Sequence, residues 1–276
     1  MNRARLLELG FDLGRAFGGR SQGAWSATAP NGTPVVLKWS EDTAMAGQYA
    51  ALLPALDELR ARGVPVPDYL QVTPFDGGTL SAQRFLPGQS QDNPSPAVIE
   101  AVIECIAAQD GIAGPPPPDG QPTWGAFVVR TLTVGRDGMH EPLRSWNQGT
   151  EAVLDRIKAV GAEADPDWCP DGGLVHLDLH TDNILIDGDT LTGIIDWEEA
   201  CAGDHRYDLV QFAFDLDGHD QPVWDIVDAA GIEPRVLRAY IAFLVLKCTS
   251  SAIVHHPEDV TRQFARAGRV FDRYGI

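Results

Sequence analysis

Between residues 174 and 209 the chain reads LVHLDLHTDNILIDGDTLTGIIDWEEACAGDHRYDL. Three short apolar runs, LVHLDL, ILI and LTGIIDW, read as strands. Each delivers a polar side chain at its edge: Asp178 near the end of the first, Asn183 at the start of the second, Asp196 at the end of the third. Buried strand ends do not need three oxygen-bearing side chains, so the crowding argues for a site. The alternative is a set of Asx residues turning a hairpin. Asn183 and Asp196 offer hard oxygen ligands of the kind Mg²⁺ takes. Asp178 is left to accept a proton from a hydroxyl. His176 and His180 flank the strand end without an HExxH pattern, which disfavours zinc. There is no G-x-S-x-G for a serine hydrolase.

The pattern upstream differs from the pattern downstream. QGAWSATA and TPVVLKWS read as a β-hairpin over residues 17–40, turned at Asn31-Gly32. A helix is expected from Thr43 to near Gly63, with a kink or break at Pro54. YLQVTPF and TLSAQRFL read as two more strands around Asp76-Gly77-Gly78, and residues 87–96 are a turn-rich linker. Beyond the linker, helical periodicity prevails outside residues 174–209. The expectation is an α+β chain. A small, mostly β N-terminal lobe spans residues 1–87, and a larger helical lobe with a short hairpin spans residues 88–276.

The formal net charge of −18 sits entirely in the second part. Residues 1–90 hold eight acids and eight Lys+Arg, so residues 91–276 carry the whole excess. Acidity of this size disfavours nucleic acid and favours a cationic small ligand, with a general solubility surface as the alternative. The N-terminus lacks the apolar core of a signal peptide, and YIAFLVL (240–246) is too short to span a bilayer. Cys105, Cys169, Cys201 and Cys248 form no CxxC and read as reduced thiols. A cytoplasmic protein without membrane or nucleic-acid partners is expected, as a monomer or homodimer.

The composite H-x-D-x-x-x-x-N, then I-I-D-W, then G-D-x-x-x-D-L resembles the aminoglycoside phosphotransferase group. These are small-molecule kinases with a protein-kinase-like bilobal fold, alongside choline kinase. The resemblance implies that Asp178 is the catalytic base receiving the substrate hydroxyl proton and that Asn183 and Asp196 hold Mg²⁺. Lys38, at the end of VVLK, resembles the lysine that pairs with the nucleotide phosphates. The run GGRSQG (18–23), with Gly19, Ser21, Gln22 and Gly23, stands where such enzymes place a phosphate-covering turn. TLSAQRFLPG resembles the hinge, where the backbone of Arg84 and Leu86 would meet the adenine edge. Asp208 and His176 resemble braces of the catalytic loop.

Three positions depart from that pattern. Leu177 stands where the group has glycine. The glycine run is not GxGxxG and no GK[ST] follows it, which excludes a P-loop. The helix after Lys38 offers Gln48, Asp57 and Glu58, none in a register that pairs with the lysine, so its partner stays open.

The implied reaction transfers the γ-phosphoryl of ATP or GTP to a hydroxyl. Charge adds an expectation about the acceptor. Glu198, Glu199, Asp204, Asp215, Asp217 and Asp220 follow Asp196 closely, and the first four are taken as substrate contacts for a cationic molecule. An aminoglycoside or a basic peptide antibiotic of the tuberactinomycin type fits, which would confer antibiotic resistance. A metabolite kinase acting on choline, an amino alcohol or a sugar amine is the second reading. A kinase-like binding module without turnover is the third.

Overall fold

The structure is a computed structural model that describes residues 3–17, 23–218 and 223–276. In chain order the elements begin with α1 (Arg3–Glu8), β1 (Asp12–Ala16), β2 (Ala24–Thr28) and β3 (Pro34–Ser40). Then come α2 (Met45–Ala61), β4 (Tyr69–Phe75), β5 (Gly78–Arg84) and α3 (Pro96–Ala107). Next are α4 (Trp124–Thr133), α5 (His140–Trp146), α6 (Gln148–Glu163), β6 (Gly173–Val175), β7 (Ile184–Asp187), β8 (Thr190–Ile194) and β9 (Cys201–Gly203). The chain closes with α7 (Arg206–Asp215), α8 (Val223–Ala229), α9 (Pro234–His255) and α10 (Val260–Tyr274).

The chain divides into two compact units. The first comprises Met1–Asp92 and Asp182–Glu198, the second Asn93–Thr181 and Glu199–Ile276. The first unit thus takes in the β7–β8 hairpin, which the sequence pattern assigns to the C-terminal lobe. The reason is hydrogen bonding. Gln89 and Ile186 exchange backbone bonds of 3.0 and 2.9 Å, Thr192 Oγ1 donates to Pro87 O at 2.5 Å, and Ile194 N donates to Pro65 O at 2.8 Å.

The first unit is built on a five-stranded antiparallel sheet of order β1-β2-β3-β5-β4. The Asn31-Gly32 turn joins β2 to β3 as expected, with Gly32 at φ +82°. Two elements go beyond the sequence expectation, α1 and β1. Leu6, Phe11 and Leu13 join Val35, Leu37, Phe75 and Leu80 in this unit's core. The period-2 alternation of β3 decides the rest: Val35 and Leu37 are buried in that core, and Val36 and Lys38 point to the other face. Helix α2 runs through Pro54 without the expected break. The proline lies ten residues into the helix, where it removes one backbone donor, but the packing of Tyr49, Leu52, Ala55, Leu56 and Leu59 holds the turn.

The second unit is mainly helical. Thr123 caps α4 by accepting Ala126 N at 3.1 Å, and Asn147 caps α6 through a capping box with Thr150. Helix α9 is 22 residues long and apolar enough to cross a membrane by composition, but most of it is buried against α4, α5, α6, α7 and α10 of the same unit. It is a core helix. Trp124, Phe127, Tyr207, Tyr240 and Phe243 form one aromatic cluster, closed by Trp124 Nε1 donating to Tyr240 OH at 3.0 Å. The run LVHLDL, expected as one strand, is a strand only to Val175, and β6 pairs with β9 rather than with β7.

The start of α4 is a tight spot. A Cβ on Gly125 would run into the backbone of Pro166. Gly125→Ala should therefore destabilise the protein by about 2 kcal/mol or more, measured by urea unfolding, although alanine is the better helix former. Unchanged stability would contradict this packing.

Candidate functional site

The first unit holds the predicted lysine. Lys38 faces Ala24 of β2 and Ser81 of β5 in the sheet register, and its Nζ donates to Asp196 Oδ1 at 2.7 Å and to Glu198 Oε1 at 2.8 Å. Tyr49 of α2 donates its hydroxyl to the same Glu198 oxygen at 2.8 Å. The partner that the sequence leaves open is thereby found. It comes from the segment after β8, and α2 contributes a tyrosine that holds one of the acids rather than an acid of its own. Glu198 is therefore an ion-pair partner of Lys38 and not an open contact for a substrate. Burial pushes the Glu198 carboxyl up to about 7 against the pull of Lys38. The Lys38 ammonium is raised, because the two carboxylates outweigh the desolvation that would lower it.

Asn183 and Asp196 are brought together by the β7–β8 hairpin. Ile184 pairs with Ile194, and Ile195 N donates to Asn183 O at 2.9 Å, so the residue preceding one strand faces the residues following the other. Asn183 is buried, and Asp196 adopts a left-handed backbone with φ +71°. The donor set here is all oxygen, and Glu198 Oε2 is buried with no hydrogen-bond partner among the described residues. A buried carboxylate oxygen of Glu198 left without a partner among the described residues, next to the Asp196 carboxylate on the same lysine, fits a hard divalent cation such as Mg²⁺.

A cavity of about 610 Å³ lies in the same unit. It is lined by apolar Val36, Phe85, Leu86, Leu185 and Ile195 and by Arg84, Lys38 and Asp196. The predicted hinge residues thus line the cavity that contains the lysine. The Arg84 N–H, however, donates to Asp68 O at 2.7 Å and the Phe85 N–H to Pro34 O at 3.1 Å, so both are already committed to the sheet. Gly23 has φ +85°, and Gly19, Ser21 and Gln22 lie outside the described residues.

The second unit holds Asp178. Its Oδ1 accepts Lys247 Nζ at 2.8 Å, and its Oδ2 lies 3.4 Å from His180 Nε2. Burial alone would raise this carboxyl, but the Lys247 ammonium, with His180, outweighs it and holds Asp178 well below the usual carboxylate range. The loop is braced from beneath. Asp208, fully buried on α7, accepts His176 N at 2.7 Å and Leu177 N at 3.1 Å. The Gln109 amide, in the orientation that satisfies both neighbours, donates to Asp208 Oδ2 at 2.8 Å. His176 Nδ1 accepts the Asp178 N–H at 3.2 Å. Leu177, where a glycine would be expected, is fully buried and takes a left-handed φ of +69°.

The other acids taken as substrate contacts are engaged within the second unit. Glu199 lies 3.4 Å from Arg136 and 3.8 Å from Lys247. Asp204 is 3 % exposed and binds Arg206 twice at 2.9 Å and Tyr240 OH at 2.9 Å. Asp215 accepts both the N–H and the hydroxyl of Thr181 at 2.8 Å. Asp217 binds Arg269 and Trp224, and Asp220 lies outside the described residues. Sequence reasoning misses Lys247, Tyr49 and Arg136. Lys247 had a signal, as the single lysine within a long apolar helical run: such a residue needs a buried counter-charge.

The chain belongs to the phosphotransferase enzyme family, whose model matches residues 14–241. Among curated relatives it is 26% identical to a homoserine kinase of Methylobacillus flagellatus, over 72% of this chain and 64% of that protein. It is 29% identical to the hygromycin-B 4-O-kinase of Escherichia coli, over 55% of this chain and 48% of that protein. The matches thus span less than two thirds of either relative. Among solved structures, a thermostable variant of aminoglycoside phosphotransferase APH(4)-Ia in complex with ADP and hygromycin B superposes with TM-score 0.73 at 22% identity, covering 99% of this chain and 98% of that one. Spectinomycin phosphotransferase APH(9)-Ia superposes with TM-score 0.58 at 14% identity, over 95% and 89%. The fold expected from the sequence is the one found.

The loop itself yields two stability predictions. Left-handed backbone costs a non-glycine residue roughly 1–2 kcal/mol, whereas deleting a buried leucine side chain costs about 2–5 kcal/mol. Leu177→Gly should therefore lower the unfolding free energy by about 1–3 kcal/mol in urea titration, and a variant as stable as wild type would show that strain dominates. Burial pushes the Asp208 carboxyl up to about 7. Between the ordinary aspartate range and that value the folded chain binds a proton that the unfolded chain releases, so this contribution is fully present at low pH and lost as pH rises through about 7. The stability of wild type relative to Asp208→Asn should fall from about pH 4 to about pH 8, and a pH-independent difference would contradict it.

Proposed function

We propose that the protein transfers the γ-phosphoryl group of ATP to a hydroxyl of a small amine-bearing molecule. The observation that carries this reading is the pairing of Lys38 with Asp196 in a cavity lined by the predicted hinge. Lys38 would neutralise nucleotide phosphates and the apolar lining would receive the base. Asn183 and Asp196, with Glu198, would hold Mg²⁺, which neutralises charge on the phosphate oxygens. Asp178, as a carboxylate, accepts the hydroxyl hydrogen bond and aims a lone pair of the acceptor oxygen at phosphorus. As the new O–P bond forms and the bond to the leaving oxygen breaks, the acceptor proton becomes acidic and passes to an Asp178 oxygen. A carboxylate held so far toward ionisation is a weak base, so orientation comes first and proton transfer late.

The acceptor we favour is a cationic antibiotic of the aminoglycoside kind. The likeness to hygromycin and spectinomycin kinases supports it, as does the excess negative charge of residues 91–276. The second reading, a hydroxylated amino acid or amino alcohol, is supported by the homoserine kinase relatives and by the internal partners of Glu198, Glu199, Asp204 and Asp215.

Labelled ATP and Mg²⁺ should give transfer to hygromycin B or a related amine, with raised antibiotic tolerance in cells expressing the protein. Transfer to homoserine without any tolerance would favour the second reading. Asp178→Ala and Asp196→Ala should each cut turnover by about 10²-fold or more while the fold is kept. Turnover of Asp178→Ala near that of wild type would overturn the mechanism. No transfer to any acceptor and no Mg²⁺-dependent hydrolysis would leave a binding module.

A further inference from the structure

Phosphoryl transfer asks for a cation beside the nucleotide, and Lys38 answers to that. It does not ask for the second buried lysine. Lys247 lies on α9, within the apolar stretch YIAFLVLKCTSSAIV, and its side chain is only 17% exposed. Taking an ammonium out of water is costly and is sustained only by close, well-placed partners. Lys247 has them on consecutive residues: Nζ donates to the Leu177 carbonyl at 2.5 Å and to Asp178 Oδ1 at 2.8 Å, with Glu199 Oε2 at 3.8 Å. A carbonyl and the next side chain gripped by one ammonium leave little freedom in the backbone between them. That backbone includes the left-handed Leu177, which no glycine relaxes.

We propose that Lys247 is the positioning residue for Asp178, binding its Oδ1 and the preceding carbonyl together so that the carboxylate is fixed for the acceptor hydroxyl. This role rests on Asp178 being the group that meets that hydroxyl. It carries a consequence for protonation. Among the described residues, Lys247 and Cys248 on α9, Tyr207 on α7 and His180 on its own loop face Asp178, and Asp178, Glu199, Asp208 and Cys248 face Lys247. The remaining groups around Asp178 do not replace a permanent cation, since the thiol and phenol are uncharged and His180 is charged only when protonated. Without Lys247, burial acts on Asp178 against His180 and no longer against a permanent cation, and its carboxyl moves upward.

The test is the pH profile of turnover for wild type, Lys247→Arg, Lys247→Met and Lys247→Gln, with nucleotide KM and melting temperature measured beside it. Wild type and Lys247→Arg should keep kcat nearly level through the weakly acidic range. Lys247→Met should lose kcat about tenfold per pH unit below a raised apparent pKa and recover toward alkaline pH. Lys247→Gln can still reach the Leu177 carbonyl but carries no charge, so it should follow Lys247→Met and keeps the test valid if the methionine variant does not fold. Nucleotide KM should stay within about twofold, as expected of a residue acting on the acceptor's partner. Neutral variants with the wild-type profile, or a raised KM with unchanged kcat, would overturn the proposal. Asp178→Asn turning over like wild type would instead overturn the role of Asp178 beneath it.

Discussion

A carboxylate out of bulk water keeps its charge most readily where a cation stands against it, and this chain spends two of its three lysines that way. Lys38 reaches from β3 to Asp196 and Glu198 inside the first unit, and Lys247 reaches from α9 to Asp178 inside the second. Elsewhere the chain prefers arginine, which forms the ion pairs on its surface, for example Arg269 with Asp217 and Arg273 with Asp228. The difference has a physical sense. An ammonium is a compact charge that fits a narrow buried site, whereas the guanidinium fork needs room and several acceptors. Each lysine is anchored on a regular element of its own unit, so packing of the sheet or of the helix core fixes the charge that the acids require.

Much of this is legible in the chain alone, where the signal is local. Asn31-Gly32 marks the β2–β3 turn, period-2 alternation puts Lys38 opposite Val35 and Leu37, and the spacing of Asp178, Asn183 and Asp196 picks out the residues on which the proposed site rests. The rest is set by contacts far apart in sequence. LVHLDL looks like one strand, but Asp208, 32 residues beyond His176, draws the backbone N–H groups of His176 and Leu177 away from any ladder. Sequence order points to α2 for the partner of Lys38, because that helix comes next. The partner lies 160 residues on, two residues after Asp196, held by Tyr49.

The acids after Asp196 show the limit of charge counting. As a run of sequence they suggest a surface waiting for a polycation. In the fold, Asp204 serves Arg206 and Tyr240, Asp215 serves Thr181, and Glu199 is shared by Arg136 and Lys247. Their partners come from α7, α9, the loop between β6 and β7 and the turn before α5, none of which the charge run itself reveals. Net charge still draws cations toward the protein over long range, but these three carboxylates are each engaged by partners inside the second unit.

The proposed mechanism turns on Asp178 being present as a carboxylate under all working conditions, because only then could it aim an acceptor hydroxyl. Carbon-13 NMR of the aspartate side chains, with the Asp178 carboxyl identified by its loss in Asp178→Asn, measures this without a substrate. The Asp178 signal should stay at its ionised position while exposed aspartates titrate around a pH of about 4. An Asp178 midpoint within or above that ordinary range would contradict the mechanism.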